Sequence, residues 1–182
     1  MKIPKLLSSN KQYLSTRRQR GTFMVEFALV GLVFAAALAF CTEAVISIAT
    51  KGKLDRLVYS GVSLLKERTA LFDENNLTVS SAEFNQLSSI MQNSFERMTN
   101  SFDVRKYGIR LEAWTPDSDD AVLQTGGALN CSAKAPLTEN MSVMTSWGRR
   151  ASLYRLTVCY EIPSWFSQGQ NTVQSSALMI GR

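Results

Sequence analysis

Histidine is absent from the 182 residues. Its absence removes the Ser-His-Asp and Cys-His hydrolases, His-ligated zinc and proximal-His haem as readings. Acidic residues are absent from the first 21 positions, which carry Lys2, Lys5, Lys11, Arg17, Arg18 and Arg20. Without those six, 14 basic residues stand against 15 acidic ones, a net charge of −1. The overall charge of +5 therefore belongs to a short leader, and the remainder lacks the basic face that nucleic-acid binding requires. No glycine-rich phosphate loop occurs, and 45% apolar with 19% charged residues excludes a disordered or collagen-like chain.

What the chain does have is one long apolar run. Residues 27 to 42 contain no charge. With residues 22 to 26 included the run would be about 31 Å long as a helix, which matches a bilayer core of ~30 Å. The basic flank before it and mixed charge after it place the N-terminus in the cytoplasm and the later residues outside. The run is too long for the core of a cleaved secretory signal. A lipobox is disfavoured at Cys41 because Phe40 precedes it.

Glu26 sits inside the apolar run, where a carboxylate costs at least a few kcal/mol unless paired. A basic leader, Gly21, four residues, Glu26, the aromatic Phe27 and then an apolar helix make up a pattern that resembles the class III signal cut by prepilin peptidase. The Glu-Phe pair, the leader of about twenty residues and the chain length resemble the TadE/TadF pseudopilins of tight adherence (Tad, Flp) pilus systems, TadF more than TadE. Major Flp pilins are similar at the signal but far shorter.

The resemblance implies cleavage after Gly21, a new α-amine on Thr22, and a role for Glu26 in bringing a neighbouring subunit into register. It implies an inner-membrane protein with a cytoplasmic leader and a periplasmic head, in or beside the pilus. The implied partners are the prepilin peptidase, a TadE-like sister pseudopilin, the Flp major pilin and the inner-membrane platform, with the secretion ATPase reached through that platform. Adhesion and biofilm roles are implied only in this way. Residues four apart share a helix face, so the Thr22 amine would lie one turn from Glu26. Gly21, without a side chain, suits a narrow protease cleft.

The rival reading is an uncleaved single-span protein whose outer domain binds a ligand or another envelope protein. No cofactor, metal site or enzymatic role is expected. Ser63 and Lys66 have the spacing of a penicillin-binding nucleophile pair but no downstream Lys-Thr-Gly. Asp117, Asp119 and Asp120 lack the glycine and glutamate of a calcium loop.

The expected fold is α+β, with a long N-terminal helix and a head of one helix and a small antiparallel sheet. Four segments follow: a leader over 1–21, a membrane helix over 22–50, an amphipathic stem over 51–76 and a head over 77–182. Gly31, Ala35 and Ala39 form a small-residue stripe for helix contact. Leu54, Leu57, Val58, Val62, Leu65 and Phe72 keep helical spacing, so the helix is expected to run from about 22 to about 71, with Gly52 and Gly61 as points of bending. Asp73 to Asn76 is a polar break. Ser80 and Glu83 predict a capping box and a helix over 81–99.

Strands are expected around 109–113, 122–125, 128–133, 152–162 and 172–179, with Gly126-Gly127 as a hairpin turn. Cys131 and Cys159 would pair in an oxidising compartment, with two buried free thiols as the alternative, and Cys41 would stay unpaired in the apolar helix.

Overall fold

The computed structural model describes residues 19–67, 79–116, 121–132, 135–146, 148–164 and 171–181. The chain divides into two compact units, residues 1–42 and 43–182. Helix α1 (Gln19–Lys66) begins in the first unit and ends in the second. In the first unit its apolar side chains are exposed on every side, Phe23, Phe27, Leu32 and Phe40 among them.

The second unit holds the rest of α1, helix α2 (Ser81–Met98) and four strands: β1 (Tyr107–Trp114), β2 (Val122–Gly127), β3 (Leu153–Ile162) and β4 (Asn171–Ile180). The strands form one antiparallel sheet in the order β2-β1-β3-β4. Side chains alternate between faces along each strand. One face, with Ile109, Leu111 and Ala113 of β1 and Tyr154, Leu156, Val158, Tyr160 and Ile162 of β3, packs with both helices in a single core.

α1 contributes Leu54, Leu57, Val58, Val62 and Leu65 to that core, one stripe of an amphipathic helix. The helical assignment is continuous through Gly52 and Gly61. Gly61 allows close packing: a Cβ there would lie 2.7 Å from Leu156 Cδ2 and 2.7 Å from Met91 Sδ. The helix also starts at Gln19, three residues before the expected Thr22, and its last turn closes at Lys66. Leu71, Phe72 and the polar break at 73–76 lie outside the described residues.

α2 begins with the capping box expected from Ser80 and Glu83. Glu83 N–H donates to Ser80 Oγ at 3.3 Å, and Ser80 N–H donates to Glu83 Oε2 at 2.7 Å. Phe84, Leu87, Met91 and Phe95 then face the core at helical spacing. Phe95 meets Phe102, Tyr107 and Tyr160 at ring-centroid distances of 5.8, 6.0 and 5.1 Å. The Tyr160 hydroxyl accepts from Asp103 N–H and donates to Ser101 O, which fixes the α2–β1 connection. Burial pushes the Tyr107 phenol well above its ordinary range.

Two expectations fail between β2 and β3. Residues 128–132 form no strand, and Gly126-Gly127 is no hairpin turn. The two glycines end β2, paired with Ile109 and Gly108. Gly127 has φ +83°, a left-handed conformation that turns the chain across the sheet, and the N–H groups of Ala128 and Leu129 both donate to Tyr107 O. The segment satisfies its backbone on a strand end, so alternation of residue type there does not make a ladder.

Candidate functional site

The candidate residues Gly21, Thr22, Glu26 and Phe27 lie together within the first three turns of α1 and are all exposed. A Cβ on Gly21 would meet nothing within 4 Å. The Gly21–Thr22 bond is helical, and glycine, about 1 kcal/mol poorer than alanine in a helix, lowers the cost of unwinding there. Thr22 and Glu26, four apart, share one face.

No hydrogen bond or ion pair reaches the Glu26 carboxylate among the described residues. Around it Phe23, Met24, Val25 and Phe27 are each at least 60% exposed. Fully burying an apolar side chain of this size is worth about 1.5–3 kcal/mol relative to leaving it in water, so such a row calls for an apolar surrounding. α1 is long and apolar enough to cross a membrane, with a mean hydropathy of 2.3 in its most apolar stretch. Gly31 and Ala35 of the small-residue stripe are exposed, and Ala39 is half-buried.

Cys131 and Cys159 lie in the second unit. Their sulfurs are bonded at 1.98 Å, with Cα atoms 5.7 Å apart, and Cys41 is free and exposed. The bridge fastens the segment after β2 to β3, on the sheet face away from the helices. Further fastenings follow: Gln174 Nε2 donates to Ser132 O, Arg155 Nη2 donates to Ala135 O, and Leu137 packs with Trp114 and Leu153.

The same face holds a charged cluster that residue type alone does not reveal. Glu112 of β1 accepts from Arg155 Nε at 2.6 Å and from Arg110 Nη2 at 3.2 Å, with its side chain 5% exposed. Burial would raise the Glu112 carboxyl, but the bonds from Arg155 and Arg110 outweigh it and hold the group below the usual carboxylate range. The cluster joins strands and has the form of a structural ion-pair network.

Ser63 Oγ donates to Tyr59 O at 2.8 Å, which occupies the one hydroxyl with a nucleophile-like spacing. No group of three or more His, Cys, Asp or Glu residues able to hold a metal ion occurs among the described residues. The aspartates at 117, 119 and 120 lie outside them. A groove of about 410 Å³ between α1 and α2, lined by Arg56, Leu57, Ser60, Ser94, Arg97 and Met98, contains no acid and no paired nucleophile and base.

The model of the TadF family, tight adherence pilin protein F, matches residues 15–182, from within the basic leader to the last residue. No curated protein and no solved structure gives a significant match. The match spans the apolar helix and the α+β unit alike, and so the chain belongs to the TadF family of tight adherence pilin proteins.

Proposed function

We propose that this protein is a minor pseudopilin needed to assemble a Tad-type pilus, cut after Gly21 by prepilin peptidase and retained in the inner membrane by α1. The leader over 1–21 faces the cytoplasm and is removed. The helix is kept, and the head lies in the periplasm. The observation that carries this reading is Glu26, exposed on an apolar helix and without a hydrogen-bond or ion-pair partner among the described residues, four residues from the position that cleavage would make a cationic amine.

An unpaired carboxylate in hydrocarbon costs at least a few kcal/mol, a cost that a cation from its own new N-terminus or from a neighbouring subunit offsets. A neighbour's amine satisfies it only when two helices stand in one register, which makes Glu26 an assembly residue with no part in catalysis. The processing peptidase, a TadE-like pseudopilin, the Flp major pilin and the inner-membrane platform are its partners in this scheme, and the cytoplasmic ATPase acts through the platform. The protein is a protease substrate and has no enzymatic role of its own.

Sequencing the N-terminus of the membrane-extracted protein, with and without the peptidase, tests the processing step. Counting surface pili in a strain with Glu26→Gln tests the assembly step separately.

A further inference from the structure

α1 stays apolar beyond the charge-free run over 27–42. After Glu43 the residues over 44–50 are again uncharged, and the first cation is Lys51. Val45, Ile46 and Ile48 are 64%, 44% and 73% exposed, an apolar collar on the far side of the Glu43 carboxylate. From Thr22 to Thr50 the helix is about 43 Å long, which matches a bilayer with both of its headgroup layers, ~40–45 Å. Glu43 then lies about 10 Å short of the outer surface, where headgroups give way to hydrocarbon. A carboxylate at that depth is costly unless a donor reaches it.

The donor comes from the end of the sheet. Ser164 Oγ donates to Glu43 Oε1 at 2.6 Å, between residues 121 apart in sequence. Glu43 opens the second unit, so this bond lies wholly within that unit. Ser164 stands two residues past the end of β3 at Ile162, and Pro163 between them is exposed. A bond this short gives the Ser164 hydroxyl the depth of the Glu43 carboxylate at any tilt of α1.

The sequence after β3 suits that depth. No charged residue occurs from Ile162 to Gly181, and the stretch contains Trp165, of a residue type enriched at membrane–water interfaces. The chain before β3 is different in kind: Arg149 is exposed, and Arg150 pairs with Glu139. The ten residues of β3 separate the two ends by about 30 Å.

We propose that Pro163 and Ser164 form a membrane-contact surface of the second unit, seated in the outer headgroup layer of the bilayer that α1 spans. Ser164 supplies the hydrogen bond that lets the Glu43 carboxylate stay at the hydrocarbon edge. Lipid is the occupant because the exposed Val45, Ile46 and Ile48 beside the bond call for apolar surroundings, and α1 is continuous from them into the apolar run. The inference rests on α1 as a membrane span. It does not depend on processing at Gly21 or on a role for Glu26.

The test uses the full-length chain with Cys41→Ser, reconstituted in phosphatidylcholine vesicles and labelled at one added cysteine with an environment-sensitive fluorophore. The vesicles contain lipid that carries a nitroxide quencher either at the headgroup or at mid-chain. Pro163→Cys should lose fluorescence to the headgroup quencher. Met144→Cys, 63% exposed beyond the other end of β3, should keep it. Phe34→Cys, in the apolar run, should lose fluorescence to the mid-chain quencher and so reports the span itself. Adding Ser164→Ala should reduce the loss at Pro163→Cys, and Ser164→Thr, which keeps the hydroxyl, should preserve it. Protection of Cys131 and Cys159 from alkylation reports that each variant is folded. The proposal is overturned if Pro163→Cys keeps its fluorescence while Phe34→Cys loses it, if Met144→Cys is quenched as strongly as Pro163→Cys, or if Ser164→Ala leaves the loss unchanged. An unquenched Phe34→Cys would overturn the membrane span, and this contact with it.

Discussion

Arg155 Nε lies 2.6 Å from Glu112 Oε2, and the two residues face each other directly across β1 and β3. Both side chains are largely withdrawn from water, at 13% and 5% exposure. Removing one partner leaves the other charge buried and uncompensated. Glu112→Ala should therefore destabilise the folded head by about 3 kcal/mol or more, read as a lowered midpoint in denaturant unfolding of the detergent-solubilised chain. A loss below about 1 kcal/mol would mean that Arg110 and Arg155 reach water in solution.

The same carboxylate sets an acid limit. The folded-state pKa of Glu112 lies below the ordinary glutamate value of 4.5, because its bonds from Arg155 and Arg110 outweigh burial. The unfolded chain thus holds its proton more tightly. The contribution is complete above about pH 4.5 and is lost as pH falls through the folded pKa. Asp55 is lowered too, first by the Ser175 hydroxyl and further by Lys51, but it is a surface group and adds less. Stability measured between about pH 6 and pH 3 should fall less steeply in Glu112→Gln than in the parent.

Two glycines of α1 should respond in opposite directions. Gly52→Ala meets nothing within 4 Å and should stabilise the helix by about 0.5–1 kcal/mol. Gly61→Ala drives a methyl against Leu156 and Met91, and overpacking of this kind costs about 1–3 kcal/mol. Thermal unfolding of the two variants side by side checks the pair, and equal shifts would contradict the close approach of α1 to the sheet at Gly61.

The Cys131–Cys159 bridge closes a loop with a sequence separation of 28. On the chain-entropy model such a closure is worth about 3.5 kcal/mol. Reduction, or replacement of both residues by serine, should lower stability by that order and free the segment after β2 for proteolysis, which limited digestion followed by mass spectrometry would detect.

How far the fold was legible from sequence depended on whether its signals were local. The capping box at Ser80 and Glu83, the periodicity of α2, and the alternation in β3 all act within one or two turns or one strand, and the structure carries each of them. The segment over 128–132 has a strand-like composition, but its first N–H groups bond to Tyr107 O at a strand end and not to a neighbouring strand. The Glu112–Arg155 pair joins residues 43 apart, so only the strand register brings the charges together. Gly61 has the same explanation: its neighbours Leu156 and Met91 are distant in the chain, and a helix glycine alone does not distinguish bending from close packing. At the N-terminal end the pattern of Gly21, Glu26 and Phe27 was visible because it is compact and linear, and the structure adds that the Gly21–Thr22 bond is already helical.

Glu26→Gln should leave the chain inserted in the membrane and folded but deprive cells of assembled pili. Fractionation and electron microscopy of the same culture separate the two effects. Normal piliation in that strain would contradict a register role for the carboxylate.

The most direct test of the central claim is the mass of the mature N-terminal peptide, taken from membranes of cells with and without the prepilin peptidase. A chain that begins at Thr22 only when the peptidase is present is the expected result. A chain that still begins at Met1 with the peptidase present would contradict processing after Gly21, and with it the pairing of a Thr22 amine with Glu26.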